Sequence, residues 1–242
     1  MCQIFFQNEG MIPKVVFFDL DDTLLDHTGT SQKALQHVFG EQLAENRTSL
    51  EVLERMNSDL YDTLMVDVLA KKYDIHHARA ERFRRMFEAC GDSCTLERGH
   101  AAFGLYRSRF DAERTLIPGA LEVLQALGQV TEVGIITNQP HKFDRDVELL
   151  QNLPRHWFVS GEVGLRKPDP ALFKLAVHTV GCTPSEAVMV GDLWDKDVEG
   201  ARNAGLRPVW INRFQLEAPD ADIPQLSSYE PVELALRIIL KA

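Results

Sequence analysis

The chain alternates short, uninterrupted apolar runs with longer amphipathic stretches. Val15-Val16-Phe17-Phe18 runs into Asp19, Val133-Gly134-Ile135-Ile136 into Thr137, Ala187-Val188-Met189-Val190 into Gly191-Asp192, and Pro208-Val209-Trp210-Ile211 into Asn212. Runs without polar alternation are expected of strands covered on both faces, as in a parallel sheet. The stretches between them carry helix-end signals. Pro118 opens one helix and Gly128 follows it; Asp169-Pro170 reads as N-cap and first turn of another, with Gly181 at its end; Gly205 closes a third, after Asp197. This strand–helix alternation predicts an α/β core built on a doubly wound, Rossmann-like parallel sheet. Residues 215–231 read as irregular and Val232 to Leu240 as a final helix. The segment from Leu150 to Trp157 looks short for a helix–loop–strand connection.

One region breaks the alternation. No proline occurs between Pro13 and Pro118, although the chain has 11. Helix interiors exclude proline, so a proline-free run of this length should be largely helical. Leu50, Leu53, Met56, Asn57, Leu60 and Leu64 approximate a helical period, as do Ala80, Phe83, Phe87 and Cys90. The pattern predicts about four helices packed as a small bundle and inserted into the core. The division expected is residues 1–26 and 111–242 for the α/β core and 27–110 for an α-helical bundle domain.

Charge falls along the same boundary. Residues 27–110 hold 12 basic and 12 acidic side chains, so the whole net charge of −10 belongs to the core. An acidic surplus repels phosphate backbones and argues against nucleic-acid binding, though a bound cation can reverse the sign locally for a small phosphorylated ligand. Apolar residues at 45% and charged residues at 26% suit a globular protein of 242 residues that needs no disulfides. Cys2, Cys90, Cys94 and Cys182 form no CxxC pair, and Cys90 and Cys94 fall four apart in a stretch read as helical. They read as reduced thiols, which points to the cytoplasm. No apolar run approaches the ~20 residues of a membrane span. Met1 to Gly10 lacks a basic start and an adequate apolar core for a signal peptide, reads as an extension, and leaves Met11 as an alternative start.

Ligand sites of open α/β sheets lie beyond the carboxyl ends of the strands. Asp19, Thr137 and Asp192 should therefore converge despite their separation in sequence. In Asp19-Leu20-Asp21-Asp22-Thr23, residues two apart on an extended segment point the same way, so Asp19 and Asp21 face one site while Leu20 turns inward. Two such carboxylates repel unless a cation joins them or one keeps a proton, and both solutions suit phosphoryl transfer. Alone, the pair would be an acidic turn. Thr137-Asn138 offers a hydroxyl and backbone N–H groups for phosphoryl oxygens, or simply a helix cap. In Arg166-Lys167-Pro168-Asp169-Pro170, two prolines fix the approach of Lys167, whose ammonium would offset paired aspartates and hold a phosphoryl group. Gly191-Asp192-Leu193-Trp194-Asp195-Lys196-Asp197 is a tight turn with three acids. Mg²⁺ takes hard oxygen ligands and only one or two protein carboxylates, which makes Asp192 the expected ligand, Asp197 an acid behind it or at a helix start, and Asp195 solvated.

Taken in order, Asp19-x-Asp21-x-Thr23, Thr137-Asn138, Lys167-Pro168-Asp169-Pro170 and Gly191-Asp192-x4-Asp197 resemble the haloacid dehalogenase superfamily of hydrolases, over essentially the whole core. The helical insert follows the first motif, where capped members carry theirs. The resemblance implies a phosphomonoesterase in which Asp19 attacks phosphorus to form an aspartyl-phosphate and Asp21 serves as acid and then base. It implies Thr137, Asn138 and Lys167 as phosphate-binding residues. It also implies Mg²⁺ held by the Asp19 side chain, the Asp21 backbone carbonyl and Asp192, with Asp197 ordering that shell. Dehalogenase members lack the acid at the Asp21 position, so Asp21 favours phosphate chemistry. Phosphonate-cleaving members need an imine-forming cap lysine, and nothing singles out Lys33, Lys71 or Lys72. The expected substrate is a small phosphorylated metabolite such as a nucleotide monophosphate or sugar phosphate, and the expected state a monomer or homodimer. A phosphomutase using the same intermediate, or a catalytically silent binding protein, are the alternatives.

The cap should close over the site and exclude water. Arg82, Arg84 and Arg85 beside Phe83 read either as an anion-recognising cluster or, the plainer reading, as a solvated helix face with Phe83 in the bundle core. His76-His77 reads as a surface pair.

Overall fold

The computed structural model describes residues 12–242, so the readings made of Met1 to Gly10, of Met11 and of Cys2 lie outside it. The described chain divides into two compact units, one of residues 12–26 and 115–242, the other His27–Arg114.

In the first unit, β1 (Val15–Phe18), β2 (Glu132–Thr137), β3 (His156–Val159), β4 (Ala187–Gly191), β5 (Arg207–Ile211) and β6 (Gln225–Leu226) form one sheet in the order β3-β2-β1-β4-β5-β6, and every neighbouring pair is parallel. The two faces of β1 seed two apolar clusters, as a period of two requires. Val16 and Phe18 pack with Val123, Leu127 and Ile239, covered by the helices Ala120–Leu127 and Val232–Lys241. Val15 and Phe17 pack with Phe173, Ala176 and Ala201 of the helices Pro170–Val180 and Glu199–Asn203. Fully burying one such side chain contributes about 1.5–3 kcal/mol. The helix Pro170–Val180 has the ends its sequence implied: Asp169 accepts the Ala171 N–H at 2.9 Å, and Gly181 closes it with φ 76°.

Two strands escaped the pattern. β3 fits the short connection because Gln151 and Asn152 both adopt positive φ, 51° and 56°, and turn the chain sharply after the helix Asp144–Leu149. β6 lies in the segment read as irregular, tied by the Trp210 N–H to Pro224 O at 2.9 Å and the Asn212 N–H to Leu226 O at 2.6 Å.

The second unit is helical: α1 (His27–Val38), α2 (Gly40–Ala44), α3 (Leu50–Leu69), α4 (Ile75–Ala89) and α5 (Leu96–Glu113). The short α2 adds to the four or so helices expected, and α5 runs past Phe110, where the sequence places the boundary, to Glu113. Ser49, Asp74 and Thr95 cap α3, α4 and α5, each side chain accepting an N–H from the first turn. Leu35, Phe39, Leu53, Phe83, Met86, Phe87 and Phe110 form its core. Cys90 caps α4 and Cys94 lies in the connection after it, so the two do not share a helix. Among the described residues, no helix is long and apolar enough to cross a membrane.

Candidate active site

The register sets the site. Val15 pairs with Glu132 on one side and Ala187 on the other, so Phe18 stands level with Ile135 and Val190. Asp19, Thr137 and Asp192 therefore emerge within about one residue of each other at one carboxyl edge. Asp19 is anchored by its N–H to Val190 O at 2.9 Å. Leu20 is fully buried, and its carbonyl accepts the Leu24 and Leu25 N–H groups at 2.9 Å, closing a turn through Asp22, whose φ is 56°. Asp19 and Asp21 are left on the polar side of that turn. Arg213 steadies the turn, reaching Asp22 at 3.4 Å and Asp26 at 2.9 Å.

Lys167 enters as a buried cation, 3% exposed. Its Nζ donates to Asp19 Oδ1 at 2.5 Å and to Asp197 Oδ1 at 2.6 Å. Its backbone is clamped by the Asn138 side chain: Oδ1 accepts the Lys167 N–H at 2.8 Å and Nδ2 donates to the Lys167 carbonyl at 3.0 Å. The Asn138 side chain is thus committed to positioning Lys167, which leaves its backbone N–H as the group expected to face phosphate. Thr137 is buried, and its hydroxyl accepts the Gln139 N–H at 3.3 Å.

Asp192 accepts from the Thr23 hydroxyl at 3.2 Å, while Trp210 Nε1 donates to the Asp192 carbonyl at 2.8 Å. Asp197 folds back over Gly191. Its Oδ2 accepts the Leu193 N–H at 3.0 Å, and a Cβ on Gly191 would meet the Asp197 Cγ at 2.3 Å, so only glycine admits that carboxylate. Carboxylate oxygens of Asp19, Asp192 and Asp197 all lie within 4.8 Å of one another.

Lys167 is shared by the buried carboxylates of Asp19 and Asp197, with the half-buried Asp192 beside them, and the electrostatics follow. Burial pushes Asp19 up to about 7, against the attraction of Lys167 and with help from Asp197 and Asp21. Burial, then the charges of Asp19, Asp197 and Asp22, push Asp192 up to about 8. Burial opposes the charge on Lys167, but Asp19 and Asp197 more than offset it and hold the ammonium protonated. A surplus of negative charge on hard oxygens at a strand edge suits a small divalent cation. Both oxygens of Asp197 already accept N–H donors, from Lys167 and Leu193, whereas Asp19 and Asp192 each accept through Oδ1, from Lys167 and Thr23.

Asp21 turns to a residue the sequence reading passed over. Gln139 Nε2 donates to Asp21 Oδ2 at 3.2 Å and to Asp146 Oδ2 at 3.3 Å. The signal was present: Gln139 stands two residues beyond Thr137, as Asp21 stands two beyond Asp19.

In the helical unit, Phe83 is fully buried and Arg84 and Arg85 pair with Glu81, at 2.5 and 2.7 Å, so the plainer reading suits those three. It does not suit Arg82, which is buried among the rings of Tyr61, Phe83 and Phe103, 5.4–5.8 Å from their centroids. His76 and His77 are exposed.

A family model described as haloacid dehalogenase-like hydrolase matches residues 13–205. A phosphoserine phosphatase of Thermus thermophilus is 32% identical, over 86% of this chain and 92% of its own length. A glyceraldehyde 3-phosphate phosphatase of Pyrococcus furiosus is 27% identical, over 91% and 90%. Among solved structures, the magnesium-bound hydrolase YfnB of Bacillus subtilis superposes with a TM-score of 0.71 over 93% of this chain and 99% of its own, at 22% identity, a likeness of fold.

Proposed function

The chain belongs to the haloacid dehalogenase-like hydrolases, and from that membership we propose that it is a Mg²⁺-dependent phosphomonoesterase acting on a small phosphorylated metabolite, with Asp19 as nucleophile and Asp21 as acid and base. The observation that carries the proposal is the convergence of Asp19, Lys167, Asp192 and Asp197 at one strand edge, a single ammonium among three carboxylates of which Asp19 and Asp197 are buried.

Asp19 attacks phosphorus through a carboxylate oxygen, and the bond from phosphorus to the leaving oxygen breaks. Asp21 gives that oxygen its proton. It then takes a proton from the water that attacks the aspartyl-phosphate, which frees Asp19 and inorganic phosphate. Lys167, the Thr137 hydroxyl and the backbone N–H of Asn138 hold the phosphoryl oxygens. Asp19, Asp192 and the Asp21 carbonyl would hold Mg²⁺, which neutralises charge on the transferring group when bound. Asp197, with both oxygens engaged, orients Lys167 and the Asp192 turn. The relatives named as phosphoserine and glyceraldehyde 3-phosphate phosphatases support a small, soluble phosphoester as substrate, in the same class as sugar phosphates and nucleotide monophosphates.

The test is phosphate release from a panel of such phosphomonoesters, with Mg²⁺ and with chelator, on wild type and Asp19→Asn. Mg²⁺-dependent release that disappears in Asp19→Asn is expected, because an amide does not replace the carboxylate nucleophile. Normal turnover in that variant would falsify the mechanism.

A further inference from the structure

Gln139 lies outside every group assigned above, yet its side chain hydrogen-bonds the proposed acid. Its Nε2 carries two hydrogens and has two acceptors, Asp21 Oδ2 at 3.2 Å and Asp146 Oδ2 at 3.3 Å. Asp146, in the first turn of the helix Asp144–Leu149, is 1% exposed. Gln139 Oε1 is buried and lacks a hydrogen-bond partner among the described residues. Leaving such an acceptor bare costs about 1–3 kcal/mol. The opposite amide orientation would turn that oxygen towards two carboxylates. The geometry therefore gives up one acceptor to keep both N–H groups on acids.

The backbone beneath this amide is fixed from two directions. The Gln139 N–H donates to Thr137 Oγ1 at 3.3 Å, and the Gln139 carbonyl accepts the Gly161 N–H at 3.0 Å. Gly161 packs so closely that a Cβ there would fall 1.9 Å from Pro140 O. The strand end at Thr137 and the segment after β3 thus hold the loop that carries Gln139. Resting on the reading of Asp21 as acid and base, we propose that Gln139 is a positioning residue: it ties the Asp21 carboxyl group to buried Asp146 and keeps it aimed at the leaving oxygen. Asp146 anchors the amide in this arrangement.

The test reads proton delivery to the leaving group. An alkoxide leaving group needs that proton, whereas p-nitrophenolate departs without it. The specificity constant kcat/KM covers the steps through phosphoryl transfer to Asp19, so the ratio of an alkyl phosphate to p-nitrophenyl phosphate isolates the acid. Gln139→Met keeps the side-chain length and removes both donors; Gln139→Ala is the second variant, and Asp21→Asn the control, all with Mg²⁺. We expect Gln139→Met to lower kcat/KM for the alkyl ester by about tenfold to a hundredfold, a part of what a general acid contributes, and to leave the aryl ester within about threefold. A merely structural role would lower both esters together and leave the ratio unchanged. If Asp21→Asn shows the selective loss and both Gln139 variants leave the ratio at its wild-type value, the positioning role is overturned and the acid assignment stands. If Asp21→Asn itself lowers both esters equally, the acid assignment fails, and this inference with it.

Discussion

Lys167→Met removes the ammonium that the buried carboxylates of Asp19 and Asp197 share, and the structure sets both the size and the pH dependence of the result. Lys167 donates to Asp19 at 2.5 Å and to Asp197 at 2.6 Å, and all three side chains are at most 10% exposed. Removing one partner of a buried pair costs about 3–5 kcal/mol, because the charge left behind has neither water nor partner. That cost applies only while the acids are ionised. Asp19 already holds its proton up to about 7 in the folded core against 3.8 ordinarily, and Asp192 up to about 8. A carboxyl group whose folded pKa is raised favours folding below its unfolded pKa, and that advantage is lost as pH rises through the folded value. For Asp19 alone, roughly three units at about 1.4 kcal/mol each means that metal-free wild type loses on the order of 4 kcal/mol between pH 4 and pH 7. Without Lys167 the carboxyl groups keep their protons to still higher pH, so the variant goes on losing stability where wild type has levelled. The gap between wild type and variant should widen above about pH 7, where Asp19 ionises in the wild type and stays protonated in the variant, by at most about 1.4 kcal/mol per pH unit for each such group. Trp157, Trp194 and Trp210, the chain's three tryptophans, all lie in the core unit, so urea unfolding followed by tryptophan fluorescence reports on this unit. With chelator present, a wild-type-to-variant gap that widens with pH is expected. A gap that is constant from pH 5 to pH 8, or widest in acid, would refute the reasoning. Added Mg²⁺ at a hundred times its Kd should then stabilise the wild type at pH 8 by about 2.7 kcal/mol.

Two smaller perturbations probe the supports. Gly191→Ala would place a Cβ 2.3 Å from Asp197 Cγ, so the carboxylate must move away from Lys167; turnover should fall at least tenfold with about 1–3 kcal/mol of stability, and steady-state kinetics equal to wild type would contradict the geometry. Asn138→Ala deletes both hydrogen bonds to the Lys167 backbone; at about 1 kcal/mol each, the urea midpoint should report a loss near 2 kcal/mol, accompanied by weaker activity, and an unchanged midpoint would show that the clamp does no work.

The meeting of Asp19, Thr137 and Asp192 was legible because it needs only two facts: uninterrupted apolar runs pair in parallel, and polar residues terminate them. Pairing in near-common register then brings the ends together whatever the intervening length. What the helical insert contributes was legible only in outline. The period that marks Phe83 and Phe87 as core says nothing of the neighbouring position, and an arginine there is ordinarily solvated. Arg82 lies instead among three aromatic rings, an arrangement set by side chains of α3 and α5 distant in sequence. Gln139 was hidden for a different reason. Its amide has no chemistry of its own, and its meaning depends on Asp146, a residue in a helix whose burial cannot be read from a six-residue stretch rich in charge. The groups that perform chemistry therefore announce themselves through residue type and strand position. Those that aim them are visible only once the chain is folded, and for that reason the Gln139 variants test the structure more stringently than another substitution at Asp19.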